Sequence, residues 1–198
     1  MEEQKLNRRE EMQEWAEIMT THTLPAWDEL PDLELYMDQV VSLVSNYLSH
    51  LGRMLGEEKP ITPAMINNYV KMGLMRAPVK KRYTRAHLAS LIMICILKRS
   101  LNMSAIQKLI PGDMSDDEIR ERYEAFRVSR SDGINFLAGL VRSGDKSLFP
   151  ENDSTDGREV VIRLAVMANL LKLGAEKLVG ATEEDQKPKK EKKAKSKA

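Results

Sequence analysis

Apolar residues along the chain recur mostly at intervals of three and four, the period of a helix rather than the alternation of a strand. Pro, Gly and hydroxyl-bearing residues cut that pattern into separate elements. Residues 6–19 place Met12, Trp15, Ile18 and Met19 on one helical face, and the 25–31 stretch, with a proline at each end, stops it. A second helix is expected to open at Asp32 and run to about Leu55. It carries a stripe of Tyr36, Val40, Leu43, Val44, Tyr47, Leu48, Leu51 and Leu55, with Gly56 as its stop. Thr62-Pro63, a hydroxyl cap followed by proline at the first helical position, predicts a short helix to about Met72 closed by Gly73. Residues 74–83, LMRAPVKKRY, suit a two-stranded ribbon or extended turn.

Thr84 then caps a helix over 85–100 whose Leu88, Leu91, Ile92, Ile94, Ile96 and Leu97 leave it apolar on more than one face, which puts it at the centre of a core. A short helix over 104–110 comes next, and Pro111-Gly112 breaks the chain. Ser115-Asp116-Asp117-Glu118 has the form of a capping box and starts a helix to about Arg142. A polar loop over 144–157 leads to a last helix from about Arg158 to Val179. From Thr182 the sequence is lysine-rich and apolar-free, and is expected to be disordered. The fold class is therefore all-α with one short β feature.

Composition narrows the classes of function. With 198 residues, 42% hydrophobic and 31% charged, the chain can bury one ordinary core or two small ones. Its longest apolar run, Leu88 to Leu97, is far short of the roughly 18 residues of a membrane span. The acidic, amphipathic start lacks the order of a secretory signal, so a cytoplasmic protein is expected. One cysteine, Cys95, excludes an internal disulfide, and three scattered histidines suggest no ligand set. No nucleophile elbow, phosphate loop, HExxH or paired-carboxylate spacing occurs, so neither an enzyme, a cofactor nor a metal is expected.

Charge changes the picture most. Between Lys59 and Gly112 stand ten cations (Lys59, Lys71, Arg76, Lys80, Lys81, Arg82, Arg85, Lys98, Arg99 and Lys108) and no Asp or Glu, although the net charge of the chain is only +1. Residues 1–58 hold thirteen acids against four bases, and residues 113–198 hold seventeen of each. A segment that excludes carboxylates and spaces cations through a helix-turn pattern suits a polyanion, because each cation docked on a phosphate releases condensed counterions. Double-stranded DNA is the leading partner. An alternative carries the same charge map: a non-enzymatic interaction or assembly module in which the basic middle segment meets an acidic protein surface.

ITPAMINNYVKMGLM followed by RAPVKKRYTRAHLASLIMICILKRSLNMSAIQKLI resembles the DNA-binding domain of the MerR regulators. Tyr69, Gly73-Leu74, Pro78, Lys81-Arg82-Tyr83-Thr84, Leu88, Leu91, Ile94 and Ser104-Ala105-Ile106 fall in that family's order. Asn67 and Asn68 depart from it, standing where those proteins usually have Arg and Tyr. The whole chain, including WDELPDLELYMDQV, is similar to the YkrK-like family of Gram-positive bacteria, catalogued as a domain of unknown function. The resemblance implies a cytoplasmic transcriptional regulator, nucleoid-associated when bound to DNA. Its fold would be a winged helix-turn-helix core with a small β wing, flanked by N-terminal and C-terminal helices. The residues themselves divide the chain into 1–112 for the N-terminal helices and DNA-binding unit, with its core at 59–112. A C-terminal helical region over 113–181 would form a homodimer, and the tail covers 182–198.

Residue chemistry supplies the candidate DNA contacts. Asn67 and Asn68 are mid-helix amides able to read an adenine edge, or else simply solvated. Thr62 is a cap first and a phosphate contact second, and Lys71 is a backbone contact. Lys80, Lys81 and Arg82 would dock the wing on phosphates, and Tyr83 would either pack the wing or touch DNA. Arg85 opposes the helix dipole at its own first turn, which suggests binding. His87 reads as a partly exposed helix residue, Cys95 as core, and Trp15 and Trp27 as packing anchors. The dimer contact is expected from Ile119, Tyr123, Phe126, Ile134, Phe136, Leu137, Leu140 and Val141, unless these pack on the second helix within one chain.

Overall fold

A helix built almost wholly of aliphatic residues has no face to offer water, and the fold is arranged around one. The protein, as a computed structural model, is described over residues 2–49, 61–144 and 157–186. These contain α1 (Glu2–Thr21), a 3-10 turn (Trp27–Glu29), α2 (Met37–Tyr47), α3 (Pro63–Lys71), α4 (Arg85–Leu97), α5 (Met103–Leu109), α6 (Asp116–Ser143) and α7 (Gly157–Gln186). All ten residues of α4 from Ala86 to Cys95 are buried, so other elements enclose it on every side. Val40, Val44 and Leu48 cover it from α2 and its C-cap, Ile66 and Tyr69 from α3, Ala105 and Ile106 from α5, and Ile119 and Tyr123 from α6.

The β content among the described residues is two isolated antiparallel bridges, Val79 with Arg82 and Leu35 with Tyr83. The second corrects the start of α2. Leu35 exchanges both backbone hydrogen bonds with Tyr83 (2.8 and 2.9 Å), which holds the chain extended until Tyr36, whose N–H donates to the Gln39 side chain at 2.9 Å. The helix therefore begins at Met37 and not at Asp32. The helix also ends at Tyr47 and not at Leu55, because the Leu48 backbone leaves the helical path as its C-cap; the Gly56 stop lies outside the described residues.

Local signals set the other boundaries. Thr62 accepts from Met65 N at 3.3 Å, and Ser115 forms its capping box with Glu118. The N-cap of α5 is Asn102, whose Oδ1 accepts from Ala105 N at 2.9 Å, so this helix starts one residue earlier than expected. Gly144, in the left-handed region at φ 64°, ends α6. The last helix runs past Val179 to Gln186, because Ala181, Glu183 and Glu184 are good helix formers; this shortens the expected disordered tail. Residues 187–198 lie outside the described residues.

α6 serves two clusters, which accounts for most of the apolar residues assigned above to a dimer contact. Ile119 and Tyr123 are buried in the main core with Phe126 packed against it, while Ala138 and Val141 join Ala16 in a second cluster lined by Met12, Trp15, Leu137 and Leu140. Phe136 remains 69% exposed. α6 also pins the segment leading out of α1. The Tyr123 hydroxyl donates to Pro25 O (2.8 Å), Trp27 N–H donates to Glu124 (2.7 Å), and Arg130 donates to His22 O (3.1 Å). Trp27 packs against Tyr123 with ring centroids 6.5 Å apart.

The closure of α3 sets the path of the next segment. Gly73 at φ 68° donates to Val70 O, and Leu74 N donates to Tyr69 O at 3.0 Å, a Schellman turn that drives Leu74 into the core. Gln107 of α5 adds a bond to Met72 O (3.0 Å), and Gly112 N donates to Gly73 O (3.0 Å). A Cβ at position 112 would stand 2.7 Å from Gly73 O and 3.0 Å from the Met75 backbone. Backbone cannot yield as a flexible side chain does. Gly112→Ala should therefore lower unfolding stability by about 2–4 kcal/mol, read from urea denaturation; an unchanged midpoint would show that this contact is not maintained.

Candidate nucleic-acid interface

α3 is two-faced. Ile66 and Tyr69 are buried, whereas Ala64, Asn67, Asn68 and Lys71 are exposed along the opposite side at spacings of three and four. Burial, then the nearby Cys95, pushes the Tyr69 hydroxyl up to about 12, as expected for a residue that seats the helix. Asn68 lends its amide to Met72 Sδ at 3.4 Å, a weak contact that leaves most of its hydrogen-bonding capacity available. Asn67 opens onto a groove of about 590 Å³ lined also by Tyr36, Met37, Asp38, Gln39, Pro78, Lys81 and Tyr83. That groove brings α3, the start of α2 and the 78–82 hairpin onto one side of the molecule. Asp38 is the single carboxylate in its lining and lowers its positive potential.

The hairpin is strained where it is most basic. Arg82 N donates to Val79 O at 2.9 Å, and the two residues between, Lys80 and Lys81, have φ of 49° and 62°. Positive φ at both central positions is the signature of a type I′ turn, which Asn-Gly fills without cost and two lysines do not. Each left-handed lysine costs on the order of 1 kcal/mol. Both side chains are exposed. Arg82 behaves differently: its guanidinium lies 3.6 Å from the centroid of the Tyr36 ring. Stacking occupies the face of the guanidinium and leaves its in-plane N–H donors free. Tyr36 and Gln39 were missed by sequence reasoning, because only the nonlocal pairing of Leu35 with Tyr83 brings them beside the hairpin.

Other candidate residues are placed elsewhere. Tyr83 is almost wholly buried, its ring edge-on to His87 at 5.5 Å, so it packs the hairpin onto the core while forming part of the groove wall. Arg85 is turned toward the acidic N-terminal segment. It approaches Asp28 at 3.5 Å and Asp32 at 3.7 Å and lies 5.8 Å from the Trp27 ring centroid. Its position in the first turn, unfavourable to the helix dipole, is offset by these two carboxylates. Arg76 pairs with Asp116 at the start of α6. Thr62 is occupied as a cap. Lys59 lies outside the described residues. Arg76 and Arg85 thus tie the segment to its acidic flanks, Lys98, Arg99 and Lys108 lie at the end of α4 and on α5, and Lys71, Lys80, Lys81 and the stacked Arg82 lie on α3 and the hairpin with Asn67 and Asn68.

His87, expected to be partly exposed, is buried beneath the hairpin. Thr84 N–H donates to its Nδ1 at 3.0 Å, with the Thr84 hydroxyl at 2.9 Å, which assigns the ring proton to Nε2. Nε2 faces the Ala77 and Arg76 backbone without a well-aligned hydrogen bond. Burial, and then the Arg76 charge, lower the ring's pKa from 6.5 to about 4, against the opposing pull of the Ala77 and Arg76 backbone. Among the described residues no group of three His, Cys, Asp or Glu could hold a metal, and no helix is long and apolar enough to cross a membrane.

Together these features define a mostly helical protein that displays Lys71, Lys80, Lys81 and Arg82 with two amides on one helix and one hairpin. Comparison with known proteins adds a family. A family model described as a domain of unknown function (DUF1836) matches residues 25–126, just over half of the chain, and the protein belongs to that family. No curated protein and no solved structure matches it. The matched residues nearly coincide with the main core, whose members run from Leu24 to Phe126 apart from Val179 of α7.

Two outcomes are expected. Because the folded ring titrates below the unfolded one, the stability His87 contributes is complete above pH 6.5 and is lost as pH falls toward about 4, by up to about 3 kcal/mol. His87→Gln, which keeps an acceptor for Thr84 N, should lose less stability than the unaltered chain across that window; parallel pH profiles would contradict it. Replacing Lys80-Lys81 by Asn-Gly should raise stability by about 1 kcal/mol in urea denaturation, since it relieves the positive-φ strain. A loss of stability there would mean that the two lysines are not strained.

Proposed function

We propose that the protein is a sequence-specific, double-stranded DNA-binding transcriptional regulator, not an enzyme, that works as a homodimer in the cytoplasm and is nucleoid-associated when bound. The order of motifs shared with the MerR regulators supports this reading, with α3 as recognition helix and the 78–82 hairpin as a small wing. The observation that carries it is the groove shared by Asn67 of α3 and Lys81 of the hairpin, with Asn68 and Lys71 exposed on the same helix and Lys80 and Arg82 on the same hairpin. Strain retained at two exposed lysines fits a surface kept for a ligand rather than for stability. In this scheme the lysines and Arg82 position the protein on phosphates, and the asparagines read base edges. One short recognition helix contacts few base pairs, so two copies are needed for useful specificity.

The interaction-module reading keeps one observation in its favour, the pairing of Arg76 and Arg85 with acids of the flanking segments. Those pairs lie within one chain, however, and leave the lysines unaccounted for.

Selection from a random duplex pool with the purified protein should return a preferred site. Alanine at Lys80, Lys81 and Arg82 together should weaken binding to every sequence alike and reduce the salt slope by up to about three units. Alanine at Asn67 or Asn68 should cost about 1–3 kcal/mol on the preferred site while sparing random DNA. Unchanged affinity in the folded triple variant would remove the wing from the scheme, and no enrichment from the pool would remove the regulator.

A further inference from the structure

α7 has far more apolar surface than the rest of the chain covers. Leu164 and Met167 seat it on the second cluster and Val179 reaches the main core. Yet Val161, Ile162, Val166, Leu170, Leu171, Leu173 and Leu178 are each more than half exposed. Ile162, Val166, Asn169 and Leu173 succeed one another at intervals of four, three and four, the spacing of a helix–helix seam, with Leu170 alongside. This row faces away from the Leu164 and Met167 seat, since residues two apart on a helix point about 200° from one another.

We propose that this row is the seam of an antiparallel contact with α7 of a second copy of the chain, with Asn169 on the two-fold axis. The inference rests on the homodimer reading above and is independent of DNA binding. Three observations select a second copy over another partner. The exposed apolar set is entirely aliphatic, without the Tyr, Trp and Arg that mark interfaces between different proteins. Between Ile162 and Leu173 its one polar member is an amide, both donor and acceptor, so two copies of Asn169 meeting on an axis satisfy each other; a lone Asn in an apolar seam sets register in this way. The contact is also large enough: a helix pair touching from 162 to 176, about 21 Å long, buries on the order of 600 Å² per copy, the lower edge of stable specific interfaces.

Direction is set by Glu176, the next seam position. Parallel pairing would set Glu176 against itself. Antiparallel pairing about Asn169 sets it across from Ile162, next to Arg163, and sets Leu173 across from Ala165, large against small.

Sedimentation of the full chain without DNA should show a dimer at micromolar concentration. Val166→Glu with Leu173→Glu should raise its dissociation constant at least about 100-fold with helical circular dichroism unchanged. Asn169→Cys should form an interchain disulfide under mild oxidation, since Cys95 is buried and does not compete. A full chain that remains monomeric overturns the dimer and this seam together. A dimer that survives both glutamates overturns the seam alone, and failure of the Asn169→Cys cross-link overturns the placement of Asn169 on the axis. If the glutamate variant does not fold, sedimentation of the unaltered chain and the cross-link still decide the question.

Discussion

The rest of the structure depends on burying α4 on all sides. A helix whose residues from Ala86 to Cys95 are all removed from water cannot be covered by one partner, so α2, α3, α5 and α6 must each supply a face. Its N-terminus then needs its capping inside the protein, which the exchange between Thr84 and His87 provides. Because the hairpin runs directly into that cap, enclosing the helix also fixes where the hairpin stands. The family match covers most of this core and leaves α1, most of α6 and α7 outside the matched residues, although Val179 of α7 reaches the core.

The charges divide along the same boundary. A guanidinium that reaches an acidic flank becomes a tie, as Arg76 and Arg85 do, and Arg is suited to such partly buried pairs. Lysines lose more hydration when paired, and Lys71, Lys80 and Lys81 stay in solvent on one side. Stacking on Tyr36 gives Arg82 an intermediate role, held in place without being neutralised. An excess of positive charge that the chain does not neutralise is free for a polyanion.

The features legible in the sequence were those that depend on neighbours in sequence. Thr62, Ser115 and Gly73 mark their helix ends because capping is a matter of three or four residues, and the apolar run of α4 identifies the core by itself. The turn within 74–83 was legible from its proline and cations, though its pairing with Leu35 was not. The features that escaped depend on contacts between distant segments. The pairing of Leu35 with Tyr83 shortens α2 and brings Tyr36 to the hairpin. Arg85 is claimed by Asp28 and Asp32, fifty or more residues away, and His87 is buried by a hairpin that folds over it. The apolar residues of α6 were counted correctly but assigned to a second chain, because nothing local says that α1 returns to cover them.

The central claim is that one surface, the outer side of α3 with the 78–82 hairpin, meets DNA. Amide chemical shifts monitored during titration of the full chain with duplex DNA test it residue by residue. The account predicts perturbations concentrated at residues 63–72 and 78–82 and at the start of α2, with α1 and the outer side of α6 silent. Shifts confined to α1, α6 or α7, or no shifts at all, would contradict it.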